Sequence, residues 1–181
     1  MPEASDPLNP VNRIRYFTAR VSARPDDLDA PVRQETYLRA LATTPNLSIH
    51  LGHFQRTKVR MPLVQPRSGG QRTVEVYKTE EKGSDVNLAT YLLLDAVRHD
   101  CDLAVVISND SDLEAPIRAV MADLGVPVGL LNPHKAWRRS RDLLSLGPVF
   151  FKQIRPAAVR ASQFPQVLTD ANGTFRRPDG W

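Results

Sequence analysis

The stretch LAVVISNDSDLEAPIRAVMADLGVPVGLL, residues 103–131, decides the fold. It opens with a short, continuous apolar run, which is typical of a parallel strand covered on both faces. Residues 113–124 then carry apolar side chains at helical spacing, and Gly125 follows as a residue that commonly ends a helix. Residues 126–131 form a second apolar run. A strand, a helix and a strand in this order predict a parallel α/β unit.

The same alternation extends on both sides of this stretch. We predict strands over residues 13–21, 47–60 and 72–79, and helices over residues 31–43 and 85–98. The second and third of these strands are predicted to form a β-hairpin, because the turn-rich residues 62–71 connect them. Residues 138–154 are predicted to be partly helical.

The length of 181 residues predicts one domain. We expect an irregular lead-in over residues 1–12, the domain itself over residues 13–154, and a tail over residues 155–181. The fold class is therefore predicted to be α/β: a parallel sheet flanked by helices, with a β-hairpin extension and a C-terminal tail.

Two carboxylates follow the first apolar run directly, at Asp110 and Asp112. Ligands of open α/β sheets bind beyond the carboxyl ends of the strands. Asp85 begins the preceding predicted helix, which has to run antiparallel to the strand that follows it. Its start should therefore lie at the same edge of the sheet as Asp110 and Asp112.

Three carboxylates at one edge repel one another unless a cation lies between them. Oxygen ligands without Cys or His suit Mg²⁺ or Mn²⁺ better than zinc. Such sites hydrolyse phosphodiesters by activating water. A helix N-terminus explains part of the same pattern without any ligand, because Ser111 and Glu114 have the spacing of a capping box.

The stretch KTEEKGSDVNLATYLLLDAVRHDCDLAVVISNDSDLEAPIRAVMADLGVPVGLLNP, residues 78–133, resembles the NYN domain family, a branch of the PIN-like nuclease class. The motifs that carry the resemblance are Lys-Gly-x-Asp-Val before a Leu-rich helix and Ser-x-Asp-Ser-Asp after an apolar strand. The resemblance implies a Rossmann-like, PIN-type sheet of five parallel strands, a metal held by acidic residues, and RNA as substrate.

Carried over by position, the resemblance assigns three roles. Asp85, Asp110 and Asp112 match the catalytic and metal-binding acids. Ser108 and Asn109 match the turn that presents these acids and are candidate RNA contacts. Lys78 and Lys82 match basic positions that contact phosphate.

The family carries another acid at the end of its first strand, in an Asp-Gly-x-Asn motif that this chain lacks. Asp6-Pro7-Leu8-Asn9 has the spacing, but no run of β-forming residues precedes it. Residues 13–21 match the family's second strand. We therefore expect the first strand to be absent, which would leave a slot beside the strand at 103–108, an incomplete site and feeble cleavage of RNA.

Basic residues gather in two further places. Arg56, Lys58 and Arg60 alternate along one predicted strand, and Arg138, Arg139 and Arg141 follow Trp137. Guanidinium groups beside an aromatic ring suit stacking and phosphate contact, so both groups are candidate RNA contacts. A solvated, charge-protected surface explains them equally well. The four histidines, among them His134, show no metal-ligand spacing.

Composition excludes several classes of protein. Cys101 is the single cysteine, so an intrachain disulfide or a zinc site built on several cysteines is excluded. No apolar run is long enough to cross a membrane, and the first residues do not resemble a signal peptide, so we expect a cytoplasmic protein without a membrane partner. The net charge of +4 is a weak indication of an anionic partner.

These observations predict a metal-dependent ribonuclease. Two alternatives stay open: a non-catalytic RNA- or nucleotide-binding module, and an oxidoreductase on the same Rossmann-like architecture. The oxidoreductase is disfavoured because no Gly-x-Gly-x-x-Gly follows a predicted strand. The oligomeric state is open, with a homodimer among the alternatives.

Overall fold

The computed structural model describes residues 10–66 and 68–179. It confirms the α/β class, with helices packed against parallel and mixed sheets. The first nine residues of the predicted lead-in, with the Asp6–Asn9 sequence, lie outside the described residues.

The N-terminal half forms a three-stranded mixed sheet. Its elements are β1 (Ile14–Ala19), α1 (Ala30–Ala42), β2 (Leu47–Pro62) and β3 (Thr73–Lys82). Strand β1 pairs in parallel with β2, and β2 pairs antiparallel with β3 over ten residue pairs. The predicted hairpin is thus confirmed. Both of its strands extend by two or three residues beyond the predicted bounds.

The middle of the chain, residues 84–153, forms a parallel sheet in the order β4, β5, β6. Its elements are α2 (Ser84–Val97), β4 (Ala104–Ile107), α3 (Glu114–Ala122), β5 (Val128–Asn132), α4 (Arg141–Ser145) and β6 (Phe150–Gln153). Strand β6 was not predicted, because helical spacing was assumed through residue 154. Gly129 on β5 faces the Phe150 ring so closely that a Cβ atom would overlap it, so only glycine fits there.

The main core lies between this sheet and the helices α2 and α3. Leu113, Ile117, Val120 and Leu130 are among its fully buried residues. The apolar positions of α3 that were read from the sequence supply Ile117 and Val120, as helical periodicity requires. Burial of this cluster holds β4, α2 and α3 in fixed relative positions, and these are the elements that surround the site described below.

Strand β4 differs from its prediction. We expected both of its faces to be covered, yet Val106 is buried while Val105 and Ile107 are 48% and 59% exposed. Val105 and Ile107 alternate with Val106, so they share the opposite face of the strand, and that face is open. Strand β4 is also an edge strand. It pairs only with β5 and β1 pairs only with β2 among the described residues, so the five parallel strands that the resemblance implied are not joined in one sheet.

The predicted tail has secondary structure of its own. Residues 155–181 contain α5 (Pro156–Ala161) and a hairpin of β7 (Val167–Asp170) and β8 (Gly173–Arg176), which turns at the predicted Asn172-Gly173. Arg39 on α1 donates two hydrogen bonds to Asp170, each 2.6 Å long, and lies 4.2 Å from the Phe175 ring centre. These contacts attach the hairpin to α1. Within the described ranges, no helix has the length and apolar character needed to span a bilayer.

Candidate functional site

An open cleft of about 500 Å³ lies at the carboxyl ends of β4 and β5. Residues from three elements line it. Asp85 comes from the first turn of α2, Pro133 and His134 follow β5, and Ile107, Ser108, Asn109, Asp110 and Ser111 come from the end of β4 and the loop after it. The predicted meeting of Asp85 with the loop after β4 is therefore confirmed.

Two glycines bring Asp85 to the cleft. Gly83 has a φ of 95°, a conformation that side chains disfavour, and makes the sharp turn from β3 into α2. Gly52 on β2 lies against this turn, where a Cβ atom would overlap the Lys82 carbonyl oxygen. The hairpin and the start of α2 can approach this closely only because position 52 has no side chain.

The cleft places Asp85 among like charges. Burial raises the pKa of Asp85 above its ordinary value, and the carboxylates of Asp110, Glu81 and Asp112 raise it further, in that order. Each effect disfavours the ionised form, since burial removes water and the neighbours repel a second negative charge. The acids predicted from the sequence thus interact electrostatically, and Glu81 joins them.

Asp110 also has a structural role. Its side chain accepts a hydrogen bond of 3.0 Å from the backbone N–H of Asp112 and so caps the short 3-10 turn Ser111–Leu113. Ser108 Oγ accepts from the backbone N–H of Asp110 at 3.1 Å. The capping box proposed for Ser111 and Glu114 does not form, because this turn precedes α3 and Leu113 takes the N-cap position.

The described residues do not form a metal centre. Among residues 10–66 and 68–179, no three His, Cys, Asp or Glu side chains are grouped so that they could hold a metal ion. Asp85 and Asp110 line the cleft, and Asp112 acts on Asp85 only through its charge. The Mg²⁺ or Mn²⁺ assignment stays a prediction.

Amide side chains fix both rims of the cleft, a feature that the sequence analysis missed. Asn109 Nδ2 donates to the Arg138 carbonyl at 2.7 Å, and Asn109 Oδ1 accepts from the Ser140 N–H at 2.7 Å. Asn132, which is fully buried at the end of β5, accepts from the His134 N–H at 2.9 Å. Asn109 was predicted as a turn residue and as an RNA contact, which stays a prediction, and an asparagine ending an apolar strand was the available signal for Asn132.

The basic residues of the hairpin lie on its two faces. Arg56, Lys58 and Arg60 share one face, as the alternation predicted, and Arg56 lies 3.9 Å from the centre of the Tyr77 ring. Lys78 and Lys82 belong to the other face, where both pair with Glu80 at 2.6 and 3.4 Å. The two predicted groups of hairpin cations therefore do not form one surface.

The basic residues after β5 are exposed. Arg138 lies 4.7 Å from the ring centre of Trp137, and Arg139 donates to the Ala136 carbonyl at 3.1 Å. Arg141 begins α4. Contact of these residues, or of the hairpin cations, with RNA stays a prediction.

One curated protein similar to this chain is the 6-hydroxy-3-succinoylpyridine 3-monooxygenase HspA of Pseudomonas putida. It is 28% identical over 179 residues, which cover 93% of this chain, and the chain spans 57% of its length. A solved structure of a protein of unknown function from Vibrio parahaemolyticus is similar over 77% of this chain and 67% of its own, with 18% identity and a TM-score of 0.47. No protein-family model matches the chain.

The comparison with the monooxygenase contradicts the ribonuclease prediction. That relative is named for placing oxygen on a pyridine derivative, which is an oxidation, and not for hydrolysing a phosphodiester. The oxidoreductase alternative, which the missing glycine motif had disfavoured, is the one that the comparison favours. Carboxylates at the edge of an α/β sheet are compatible with several chemistries, so their position alone did not identify the reaction.

Proposed function

We propose that this chain acts as an oxidoreductase that inserts one oxygen atom into a small hydroxylated nitrogen heterocycle. The observation that carries the proposal is the 28% identity to a pyridine-derivative monooxygenase, which extends over 93% of the chain. An alignment over nearly the whole chain includes the cleft at the ends of β4 and β5, so we take the cleft as the place where the ring binds.

The size of the cleft agrees with such a ligand. A volume of about 500 Å³ falls within the range of small-molecule sites. The lining is mostly polar, and the carboxylates of Asp85 and Asp110 can accept hydrogen bonds from ring N–H or O–H groups. Ile107 and Pro133 add apolar surface for a flat ring, so hydrogen bonds more than an apolar wall would orient the ligand.

The overall reaction needs an oxidant and a reductant. One atom of dioxygen forms the new C–OH bond at ring carbon 3 of 6-hydroxy-3-succinoylpyridine, and the bond from that carbon to the succinoyl group breaks, because carbon 3 carries no hydrogen. The acyl group is taken up by water as a carboxylic acid, and the second oxygen atom of dioxygen leaves as water. A reduced nicotinamide supplies a hydride, which is two electrons and one proton, and one further proton comes from solvent. The chain has no Gly-x-Gly-x-x-Gly motif, so the dinucleotide is not expected to bind through that fingerprint.

Two predictions made from the sequence are compatible with this proposal but do not support it. Membership of the NYN family is one, and it rests on the motifs around Asp85 and Asp110. The other is a cytoplasmic location, which agrees with the single cysteine and with a reaction that consumes reduced nicotinamide.

The proposal is tested by oxidation of 6-hydroxy-3-succinoylpyridine. The 181-residue chain is mixed with this compound, reduced nicotinamide and isotopically labelled dioxygen. We expect nicotinamide consumption that depends on the compound, and one labelled oxygen atom in the organic product by mass spectrometry. Asp110→Asn should slow the reaction, while Asp102→Asn, an exposed change outside the lining of the cleft, should not. Absence of compound-dependent consumption and of label would refute the proposal.

A further inference from the structure

The segment after β5 is held by two amide side chains at the carboxyl ends of β5 and β6. Asn132 is 0% exposed, and its Nδ2 donates to Gln153 Oε1 at 3.1 Å. Gln153 Nε2 donates in turn to the Asn132 carbonyl at 3.0 Å. The pair therefore joins the carboxyl ends of β5 and β6 through side chains as well as through the strand ladder.

This amide pair holds the main chain of His134 on both sides. The His134 N–H donates to Asn132 Oδ1 at 2.9 Å, and the His134 carbonyl accepts from Gln153 Nε2. A buried amide is costly when its hydrogen bonds are not made, by about 1–3 kcal/mol. Here both amides are bonded, so the arrangement fixes one backbone position for an exposed residue that lines the cleft.

We propose that His134 is the proton-accepting residue of the cleft, and that Asn132 and Gln153 are positioning residues that hold it beside the bound ring. The inference rests on the function proposed above and names the residue that activates the substrate. It follows from the geometry of the rim. His134 is the one histidine among the residues that line the cleft, and its backbone is held by the buried Asn132 and the half-buried Gln153.

The chemistry of a hydroxylated ring supplies the reason for such a base. Loss of the hydroxyl proton turns the ring C–OH into an oxide, whose electrons enrich the ring carbon para to it and prepare that carbon for attack on activated oxygen. The proton moves from the ring oxygen to an imidazole nitrogen, which becomes imidazolium. It is released to solvent when the product leaves, so the residue returns to its starting state.

A histidine suits this step better than the neighbouring acids. Imidazole accepts and releases protons close to neutral pH, whereas an ordinary carboxylate is too weak a base for a hydroxyl proton. Asp85 and Asp110 are the titratable acids that line the same cleft.

The first test compares two histidine variants. His134→Gln keeps a polar side chain of similar size but cannot take the proton. We expect its turnover of 6-hydroxy-3-succinoylpyridine to fall by about 100-fold or more, the usual effect of losing a general base, while the Kd for the compound changes by less than about threefold. His53→Gln, an exposed change on β2, should keep wild-type turnover. Wild-type turnover by His134→Gln would overturn the inference and leave the proposed function standing.

The positioning role has its own readout. Gln153→Met removes the hydrogen bonds to Asn132 and His134 while filling similar volume. We expect the kcat of Gln153→Met to fall with little change in its Kd for the compound. Free imidazole should restore part of the activity of a His134→Ala variant, but it should not restore the activity of Gln153→Met. A Gln153→Met protein with unchanged kcat would remove Asn132 and Gln153 from the proposal.

A binding measurement separates this inference from the proposed function. The ring signals of His134 are followed by NMR while the same compound is added to the wild-type chain, with the His134→Gln spectrum identifying them. If the His134 signals move but the chain does not oxidise the compound, the oxidoreductase proposal is refuted. The same result would support His134 as a residue that contacts the ligand. Signals that stay unchanged at saturating compound would overturn the inference whether or not oxidation occurs.

Discussion

Asp85 and Asp110 face the same cleft from different elements, and the second carboxylate helps to keep the first from ionising. Asp85 lies in the first turn of α2 and Asp110 follows β4. Burial is the larger cause of the raised pKa of Asp85, and Asp110 is the largest charged cause. The ionised Asp85 therefore lowers the stability of the fold, and such electrostatically unfavourable residues are common in functional sites.

Asp85→Asn should therefore stabilise the fold at neutral pH. The pKa of Asp85 is raised in the folded state, so its contribution to stability is fully present below the unfolded value and is lost as the pH rises through the folded one. At pH 7 the ionised carboxylate is a cost, and the amide removes it. The amide also loses a favourable interaction with the helix N-terminus, of about 0.3–1 kcal/mol.

Because Asp85 is exposed and solvent screens its repulsion, we expect a net gain below about 1 kcal/mol, so the Tm should rise at pH 7 by less than about 2–4 °C. At acidic pH, where Asp85 is protonated, the difference should vanish. Thermal unfolding followed by circular dichroism measures both, with Asp102→Asn as the exposed control. A lower Tm for Asp85→Asn than for wild type at pH 7 would contradict this account.

The contact between Arg39 and Asp170 should make the C-terminal hairpin sensitive to acid. Hydrogen bonds from Arg39 are the main reason that the pKa of Asp170 is lowered to about 2. Because its pKa is lower in the folded state, Asp170 stabilises the fold above its unfolded pKa of 3.8. This contribution is lost as the pH falls toward about 2.

Asp170→Asn should therefore lower the Tm by a constant amount above about pH 5, and the difference from wild type should shrink steadily in more acidic buffer. Limited proteolysis near β7 and β8 gives a local readout, because a released hairpin is cut sooner. Asp179→Asn, an exposed change near the end of the described chain, serves as control. A Tm difference that does not depend on pH would show that the charge of Asp170 is not the cause.

Gly52→Ala should destabilise the fold and disturb the cleft together. The added methyl group would overlap the Lys82 carbonyl oxygen, so the hairpin and the start of α2 have to separate. Forcing extra atoms into a packed site costs about 1–3 kcal/mol. We expect the Tm to fall and the Kd for 6-hydroxy-3-succinoylpyridine to rise, since Asp85 moves with α2. Gln55→Ala, exposed on the same strand, controls for loss of strand propensity, and equal Tm values for the two variants would exclude the steric argument.

The metal prediction is measured by titration with Mn²⁺. Because acids surround Asp85 while no three described side chains converge, we expect binding that is weak and electrostatic. A cation at ten times its Kd adds about 1.4 kcal/mol, which raises the Tm by about 3–6 °C. The rise should be smaller in Asp110→Asn and unchanged in Asp102→Asn. Equal rises in wild type and Asp110→Asn would show that these acids do not bind the ion.

Part of the site was predictable because local periodicity and strand connections have few solutions. The apolar run before Ser108 had to be a strand and the spacing after Asp85 had to be a helix. A strand that follows an antiparallel helix ends at the edge where that helix began. These rules place Asp85 beside the loop of Asp110 from the sequence alone. They also gave the hairpin, whose alternation sets Arg56, Lys58 and Arg60 on one face.

Other features depended on contacts between distant parts of the chain. Nothing local marks β6 as a strand; it forms because Phe150 packs against Gly129 on β5. The rim at His134 exists because Asn132 reaches Gln153, twenty-one residues later.

The sequence by itself determined the α/β class, the main helices and strands, and the edge at which polar residues collect, since these follow from side-chain periodicity and chain direction. Only the tertiary structure decided that the sheets remain separate, that Asp85 and Asp110 line the cleft while Asp112 does not, and that His134 joins them there. Each of these is a distance between residues far apart in the chain, set by packing of the whole core and by no local pattern.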